Sequence, residues 1–337
     1  MANKITIRDL AKKAGVSVTT VSQILNGKGQ RFSEQTRQKV LTLKKQLNYV
    51  PDFNARNLIM RSSKTIGVLL PNIANPFFAA FVKGIQKATR QAGFMPLIFS
   101  ADHEEEQERY YLQRLVERSV DGLIIASASV TTQAIDEILK PLQVPYLLFD
   151  QNDTPDGDRV EVDNDQGGYL VAKHLAKQGH QRITLLFPKN VKNIEQRQMG
   201  FTRGLKEEGI EFDPVSQVVY GTLTKQGGYE ATEEVLKTKP TAVFAANDEM
   251  AIGLYRGLAE RDVKVPEEIS VVGFDGIDLD RYVTPQLTTV AQPIEELGER
   301  ASALLLARIN NPEAPTQQIS LPVELVVRSS TAPVKKG

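Results

Sequence analysis

Four polar clusters in this chain each close an apolar run. Asn72 and Asn75-Pro76-Phe77-Phe78 follow Ile66 to Leu70, and Asp150-Gln151-Asn152 follows Pro145 to Phe149. Asn247-Asp248-Glu249 follows Ala242 to Ala245, and Asp275-Gly276 follows Ser270 to Phe274. Arg197 opens a helical stretch, and Gln292 follows the run Leu287 to Val290. Amides, carboxylates and a guanidinium can bond hydroxyl groups, and phenyl rings offer flat apolar faces, so brought together these residues suit a sugar. Each taken alone suits a turn or a helix cap, because short polar side chains bond nearby backbone N–H groups.

Other chemistry is poorly signalled. GxSxG, GxxxxGK[ST] and GxGxxG are absent, and paired carboxylates in a cleft serve hydroxyl binding as well as catalysis, so no enzyme is expected. The absence of cysteine excludes disulfides, thiolate metal sites and a thiol nucleophile. His103, His174 and His180 lack metal-helix spacing. Asp163-Asn164-Asp165 lacks the Gly and terminal Glu of a calcium loop and reads as a helix cap. Neither metal nor cofactor is expected. No run approaches the ~20 apolar residues of a membrane span, and Lys4, Arg8 and Asp9 leave no apolar signal core at the start. The expected setting is the cytoplasm.

What must position the clusters is an alternation of strands and helices. Ile66 to Leu70, Met95 to Phe99, Gly122 to Ile125 and Pro145 to Phe149 read as buried strands, with helices near 77 to 92, 104 to 118 and 132 to 142. The cycle repeats with Arg182 to Phe187, Gln217 to Tyr220, Ala242 to Ala245 and Ser270 to Phe274, separated by helices near 166 to 178, 195 to 208, 226 to 237 and 249 to 261. The class is α/β, with two doubly wound parallel-sheet subdomains. A cleft is expected at the strand carboxyl ends, where such folds bind ligands.

Charge separates this body from the residues before it. The first 64 residues carry 13 Lys+Arg against 3 Asp+Glu, whereas the other 273 carry 28 against 38, so a neutral chain has a basic head. That asymmetry points to nucleic acid. The head is not a solubilising tail, because it has apolar periodicity and caps. Thr6 and Asp9 frame an approximate capping box for Ile7 to Ala14, with Ile7, Leu10, Ala11 and Ala14 on one face. Gly15 breaks that helix, and Ser17 caps Val18 to Leu25, with Val21 and Leu25 inward. Ser33 to about Leu47 supplies Val40, Leu43 and Leu47 as cover. An all-α helix-turn-helix head results.

The string Thr6 to Gly27, Thr-Ile-Arg-Asp-Leu-Ala-Lys-Lys-Ala-Gly-Val-Ser-Val-Thr-Thr-Val-Ser-Gln-Ile-Leu-Asn-Gly, closely resembles the N-terminal signature of the lactose/galactose repressor family. The resemblance implies that Val18, Thr19 and Gln23 read bases, and that Thr6, Ser17, Thr20, Ser22, Asn26, Ser33 and Thr36 meet phosphates. Most relatives carry Arg where this chain has Gln23, and Gln pairs best with adenine, so the operator half-site is expected to differ. Residues Asp52 to Met60 give only about two helical turns, too few to be stable alone. By the same resemblance they form a hinge helix that meets the DNA minor groove through Ala55 and Leu58.

The body is similar to periplasmic sugar-binding proteins of the ribose type, on Asn75-Pro76-Phe77-Phe78, Asn247-Asp248-Glu249-Met250-Ala251 and Gly273-Phe274-Asp275-Gly276. That similarity implies that Phe77 and Phe78 enclose a sugar ring, while Asn75, Asp150, Gln151, Arg197, Asn247, Asp275 and Gln292 surround its hydroxyls. Ribose binders carry Arg where Gln151 stands and an aromatic where Leu223 falls, which leaves ribose, another small sugar or a phosphorylated relative open.

The expected organisation is a DNA-binding domain over 1–50, hinge and linker over 51–64, and an effector-binding and dimerisation domain over 65–332. The last divides into an N-subdomain of about 65–162 plus 292–320 and a C-subdomain of about 163–291 plus 321–332. The expected function is a homodimeric repressor of a sugar-utilisation operon, binding double-stranded operator DNA under control of a small sugar effector. The tail after Ala332 has no heptads, so no tetramerising coiled coil is expected. The alternative is a carbon-catabolite regulator whose partner is a phosphorylated carrier protein. A secreted sugar-transport protein and a sugar-modifying enzyme are the remaining rivals.

Overall fold

The computed structural model describes residues 5–50, 62–101, 104–127, 130–149 and 157–334. The chain divides into two compact units, Met1–Ser63 and Lys64–Gly337.

In the first unit three helices share one core: α1 (Ile7–Ala14), α2 (Val18–Leu25) and α3 (Glu34–Gln46). Each start is fixed locally. Thr6 Oγ1 accepts from Asp9 N at 3.3 Å while Thr6 N donates to Asp9 Oδ2 at 2.9 Å, a complete capping box. Ser17 accepts from Thr20 N and Ser33 from Thr36 N. Leu10, Ala11, Ala14, Val21, Ile24, Val40 and Tyr49 are buried together. Ile24, not Leu25, is the fully buried residue at the end of α2; Leu25 packs at the edge with Ile7, Leu43 and Leu47. Tyr49 completes the core from beyond α3.

The second unit contains two six-stranded sheets. The first has the order β11-β5-β4-β3-β1-β2, from β1 (Thr65–Leu70), β2 (Met95–Ser100), β3 (Gly122–Ile125), β4 (Tyr146–Phe149), β5 (Asp158–Val162) and β11 (Gln318–Leu321). The second has the order β12-β10-β9-β8-β6-β7, from β6 (Ile183–Phe187), β7 (Val218–Tyr220), β8 (Ala242–Ala245), β9 (Ser270–Asp275), β10 (Thr288–Ala291) and β12 (Glu324–Val326). The ladders are parallel except where β12 meets β10. Central strands such as β1 and β9 are buried along their whole length, as a sheet covered on both faces requires.

Helices α4 (Pro76–Gln91), α5 (Glu105–Glu117) and α6 (Thr132–Ile138) follow strands of the first sheet. Helices α7 (Asn164–Lys177), α8 (Lys192–Glu207), α9 (Pro214–Gln217), α10 (Lys225–Glu230), α11 (Thr232–Lys237) and α12 (Asp248–Ala259) belong with the second. The helix α13 (Ile294–Asn310) returns the chain to the first sheet and packs along α4. The chain therefore passes between the sheets three times, after Val162, Ala291 and Leu321. Strands β5, β11 and β12 and the helix α13 were not legible as elements, because their neighbours in space are remote in sequence.

Helices α7 and α8 pack backbone against backbone. A Cβ on Gly168 would lie 1.9 Å from Arg197 O, and one on Gly200 would lie 1.8 Å from Asp165 O. Only hydrogen at both positions lets the two backbones touch, and this contact sets the depth at which α8 presents its inner face.

Candidate functional site

Where the carboxyl ends of the two sheets face each other, a cleft of about 580 Å³ including its open mouth is lined by residues from both. Asn75, Phe77, Phe78, Arg197, Asn247, Asp275 and Gln292 all border it. Asp150 and Gln151, with Ala55 and Leu58 of the hinge and His103, lie outside the described residues.

Each cleft residue is held by the element that carries it. Asn75 caps α4, its Oδ1 accepting from Phe77 N at 2.9 Å, and Pro76 takes the first helical position. The cap and the cleft position coexist. Phe77 and Phe78 meet edge to face, with centroids 5.2 Å apart, and Phe77 lies 6.0 Å from Phe149. An aromatic wall anchored in the core results. Asn247 caps α12 by accepting from Met250 N at 2.9 Å and donates to Leu223 O at 3.4 Å.

Arg197 does not open its helix, as the sequence had suggested; α8 begins at Lys192, so Arg197 lies in its second turn, facing inward. It is 3% exposed. Its Nε donates to Asn164 Oδ1 at 2.9 Å, its Nη1 donates to Ala246 O at 2.6 Å, and the guanidinium lies 3.5 Å from the Phe274 ring centroid. A buried charge this well partnered is fixed in position. Asp275 is buried at φ 126°, a conformation that side chains rarely adopt. Gln292 holds it twice, Nε2 donating to Asp275 Oδ1 at 2.8 Å and the backbone N to Asp275 O at 3.0 Å.

Sequence reasoning did not select Phe149, Asn193, Ile194 or Thr224, and passed over Asn72, Leu223 and Glu249 as contacts; all border the cleft. Thr224 carried a usable signal, since it follows β7, the second strand of its sheet in chain order, and caps α10 through Gly227 N. Glu249 is 7% exposed and paired with Lys225 Nζ at 2.5 Å. Asp163 caps α7 by accepting from Gln166 N, in keeping with its cap reading. Among the described residues no group of three or more His, Cys, Asp and Glu could hold a metal, and no helix is long and apolar enough to cross a membrane.

In the head, Val18 and Thr19 stand exposed at the start of α2. Ser17, Thr20, Ser22, Gln23 and Asn26 lie along or beside the same helix, and Asn26 Nδ2 donates to Ser22 at 3.4 Å. Thr6, Ser33 and Thr36 sit at the N-termini of α1 and α3, where the helix dipole favours anions. Gln23 is half-buried, and its Oε1 has no hydrogen-bond partner.

Comparison with known proteins decides what this pairing of head and cleft is. Residues 6–52 match the model of bacterial regulatory proteins of the lacI family, and residues 172–331 match a periplasmic binding protein-like domain. The regulator DegA of Bacillus subtilis is 36% identical over 98% of this chain and 99% of its own. This chain belongs to the LacI family. A LacI-family regulator from Enterococcus faecium, solved with bound ribose, is 43% identical over 80% of this chain and all of that one, with a TM-score of 0.75. The lac repressor dimer bound to operator and the anti-inducer ONPF is 29% identical over 98% of this chain and all of that one, with a TM-score of 0.87. LacI-family members are transcriptional regulators rather than enzymes; they bind operator DNA and small effectors and act as dimers.

Proposed function

We propose that this LacI-family repressor controls a sugar-utilisation operon and that ribose or a closely related pentose, bound in the cleft, sets its affinity for the operator. The observation that carries this is the convergence of Phe77, Phe78, Asn75, Arg197, Asn247, Asp275 and Gln292 on one cavity. The ribose-bound relative at 43% identity supports the choice of sugar. Residues 1–50 read the operator as a dimer, 51–64 form the hinge, and 65–332 bind effector and dimerise, with the subdomain division given above. The site of action is the cytoplasm.

Control follows from linkage. A sugar changes operator affinity only by binding the DNA-competent and DNA-released arrangements unequally. Such coupling is worth about 5- to 150-fold in operator affinity. Operator binding titrated with ribose, other pentoses, hexoses and sugar phosphates tests the proposal. A response to a phosphorylated carrier protein with none to any sugar would replace it by the catabolite-regulator alternative.

A further inference from the structure

Behind the Asp275 turn two carboxyl groups are buried against each other. Asp248, the first residue of α12, is fully buried. Its Oδ2 accepts from Gly276 N at 2.7 Å and Ile277 N at 3.1 Å, and its Oδ1 accepts from Thr289 Oγ1 at 2.6 Å. Asp280, on the 3-10 turn Asp278–Arg281, is equally buried, and the Asp248 carboxyl is the neighbouring charge that acts on it most strongly. No N–H or hydroxyl among the described residues donates to either Asp280 oxygen.

Two ionised carboxylates cannot share such a space, so the pair retains a proton. The donor pattern says which group holds it. Asp248 already accepts three bonds and needs its charge, whereas Asp280 accepts none and can complete its bonding only by donating to Asp248. Burial and the neighbouring Asp248 charge accordingly hold Asp280 far above the usual carboxylate range.

Gly276 and Ile277 directly follow Asp275, the residue at φ 126°. Gln292 fixes this turn from the cleft side, and Asp248 fixes it from behind. We propose that Asp248 and Asp280 act as one proton-sharing unit that keeps the 275–277 turn in its ligand-receiving shape, which makes Asp280 a positioning residue for effector binding. The inference rests on reading the cleft as the effector site. Neither carboxyl borders the cavity, so both act through Asp275.

A second proton entering the pair removes the charge that the two backbone N–H groups face, and the turn loosens on acidification. Arg328, with Nη1 3.8 Å from Asp280 Oδ2, opposes that uptake, while Asp275 favours it. Tyr255 stays neutral because burial pushes its phenol up. Glu249 is occupied by Lys225, and Asp278 and Arg281 on the turn itself are exposed.

The test uses the full-length protein with ribose as probe, titrated calorimetrically between about pH 5 and pH 8, a window chosen around a raised carboxylate. Ribose affinity of the wild type should fall towards acid. Asp280→Asn, a neutral donor like the protonated Asp280, should leave that fall at or slightly above its wild-type pH. Asp280→Ala, which strips Asp248 of its donor, should weaken ribose about tenfold at neutral pH.

Hydrogen exchange of the 275–279 segment supplies an arm without ligand. At neutral pH exchange should speed up in Asp280→Ala and stay as in wild type in Asp280→Asn; towards acid it should speed up relative to other loops in both wild type and Asp280→Asn. Should Asp280→Ala not fold, the wild-type and Asp280→Asn profiles decide alone. Profiles displaced to clearly lower pH in Asp280→Asn, or wild-type exchange that does not speed up towards acid, would overturn the proposal. Absence of ribose binding by the wild type, with the exchange results as expected, would overturn the choice of sugar and leave the carboxyl pair standing.

Discussion

Gln292 and Asp275 are joined through both side chain and backbone, with Nε2 to Oδ1 at 2.8 Å and N to O at 3.0 Å. With its amide nitrogen committed, Gln292 keeps Oε1, which has no protein partner, as an acceptor at the cleft wall. The pair therefore holds the Asp275 carboxylate in a fixed direction at the cleft wall. Asp275→Ala should abolish the response of operator binding to sugar while leaving sugar-free operator affinity unchanged. Fluorescence anisotropy on labelled operator, with and without ribose, checks this, and a variant responding like wild type would remove Asp275 from the site.

Gln23→Arg should change the preferred operator. Gln bonds adenine N6/N7 and Arg guanine O6/N7, each discriminating by about 1 to 3 kcal/mol. The unpartnered Oε1 of Gln23 gives up no protein bond when it turns to a base. Selection of half-sites from a random pool should yield different bases at one position for the two proteins. Identical selections would show that Gln23 reads nothing.

Leu58→Ala should weaken operator binding far more than binding to random DNA, since an apolar wedge acts only where a kinkable step exists. Leu58 lies outside the described residues, so this expectation rests on sequence and family. Competition assays and DNA-bending measurements check it, and equal losses on both DNAs would count against a wedge.

Gly168→Ala should destabilise the body by about 1 to 3 kcal/mol, the usual cost of overpacking, because the new methyl meets Arg197 O. The displacement falls on the helix that carries Arg197, so ribose affinity should drop with stability. Urea denaturation and calorimetry measure the two together. A stable variant with normal ribose binding would show that the α7–α8 contact does not set the site.

Acid should destabilise the body through its two described histidines. His180 bonds Thr241 Oγ1 and Ala332 O, and His174 bonds Thr331 Oγ1. Burial lowers both pKa values in the folded state, so the unfolded chain takes up protons first. The stabilisation is fully present above the ordinary histidine value and is lost as pH falls from there through the folded values. Thermal melts across that range should decline with acid, and His180→Asn should flatten the decline. An unchanged slope in the variant would exclude this residue as the cause.

Much of this was readable in sequence wherever the cause is local. Caps at Thr6 and Ser17 depend on residues three positions away, and each forms as the spacing implies, while Ser33, read as the first residue of the third helix, caps it instead. The polar clusters after β1, β8 and β9 were visible because parallel strands deliver their carboxyl ends to one place. What escaped depends on distant partners. Strand β5 needs β11, some 160 residues later, and α13 is recognisable only against α4. Ile194 faces the cleft because Gly168 lets α8 approach. Asp280 reads as a surface acid in a polar turn until its burial beside Asp248 is seen.

The three passages between the sheets have a mechanical consequence. They leave from strands at one margin of each sheet, β5 and β11 on one side and β10 and β12 on the other. Three tethers along one margin forbid sliding and wide separation of the halves, but they permit one to swing on the other like a page on its binding. A small molecule in the cleft, whose wall runs from Gln292 beside one tether to Thr224 after the far-edge strand β7, then acts across the swing itself, and a displacement there is taken up as rotation.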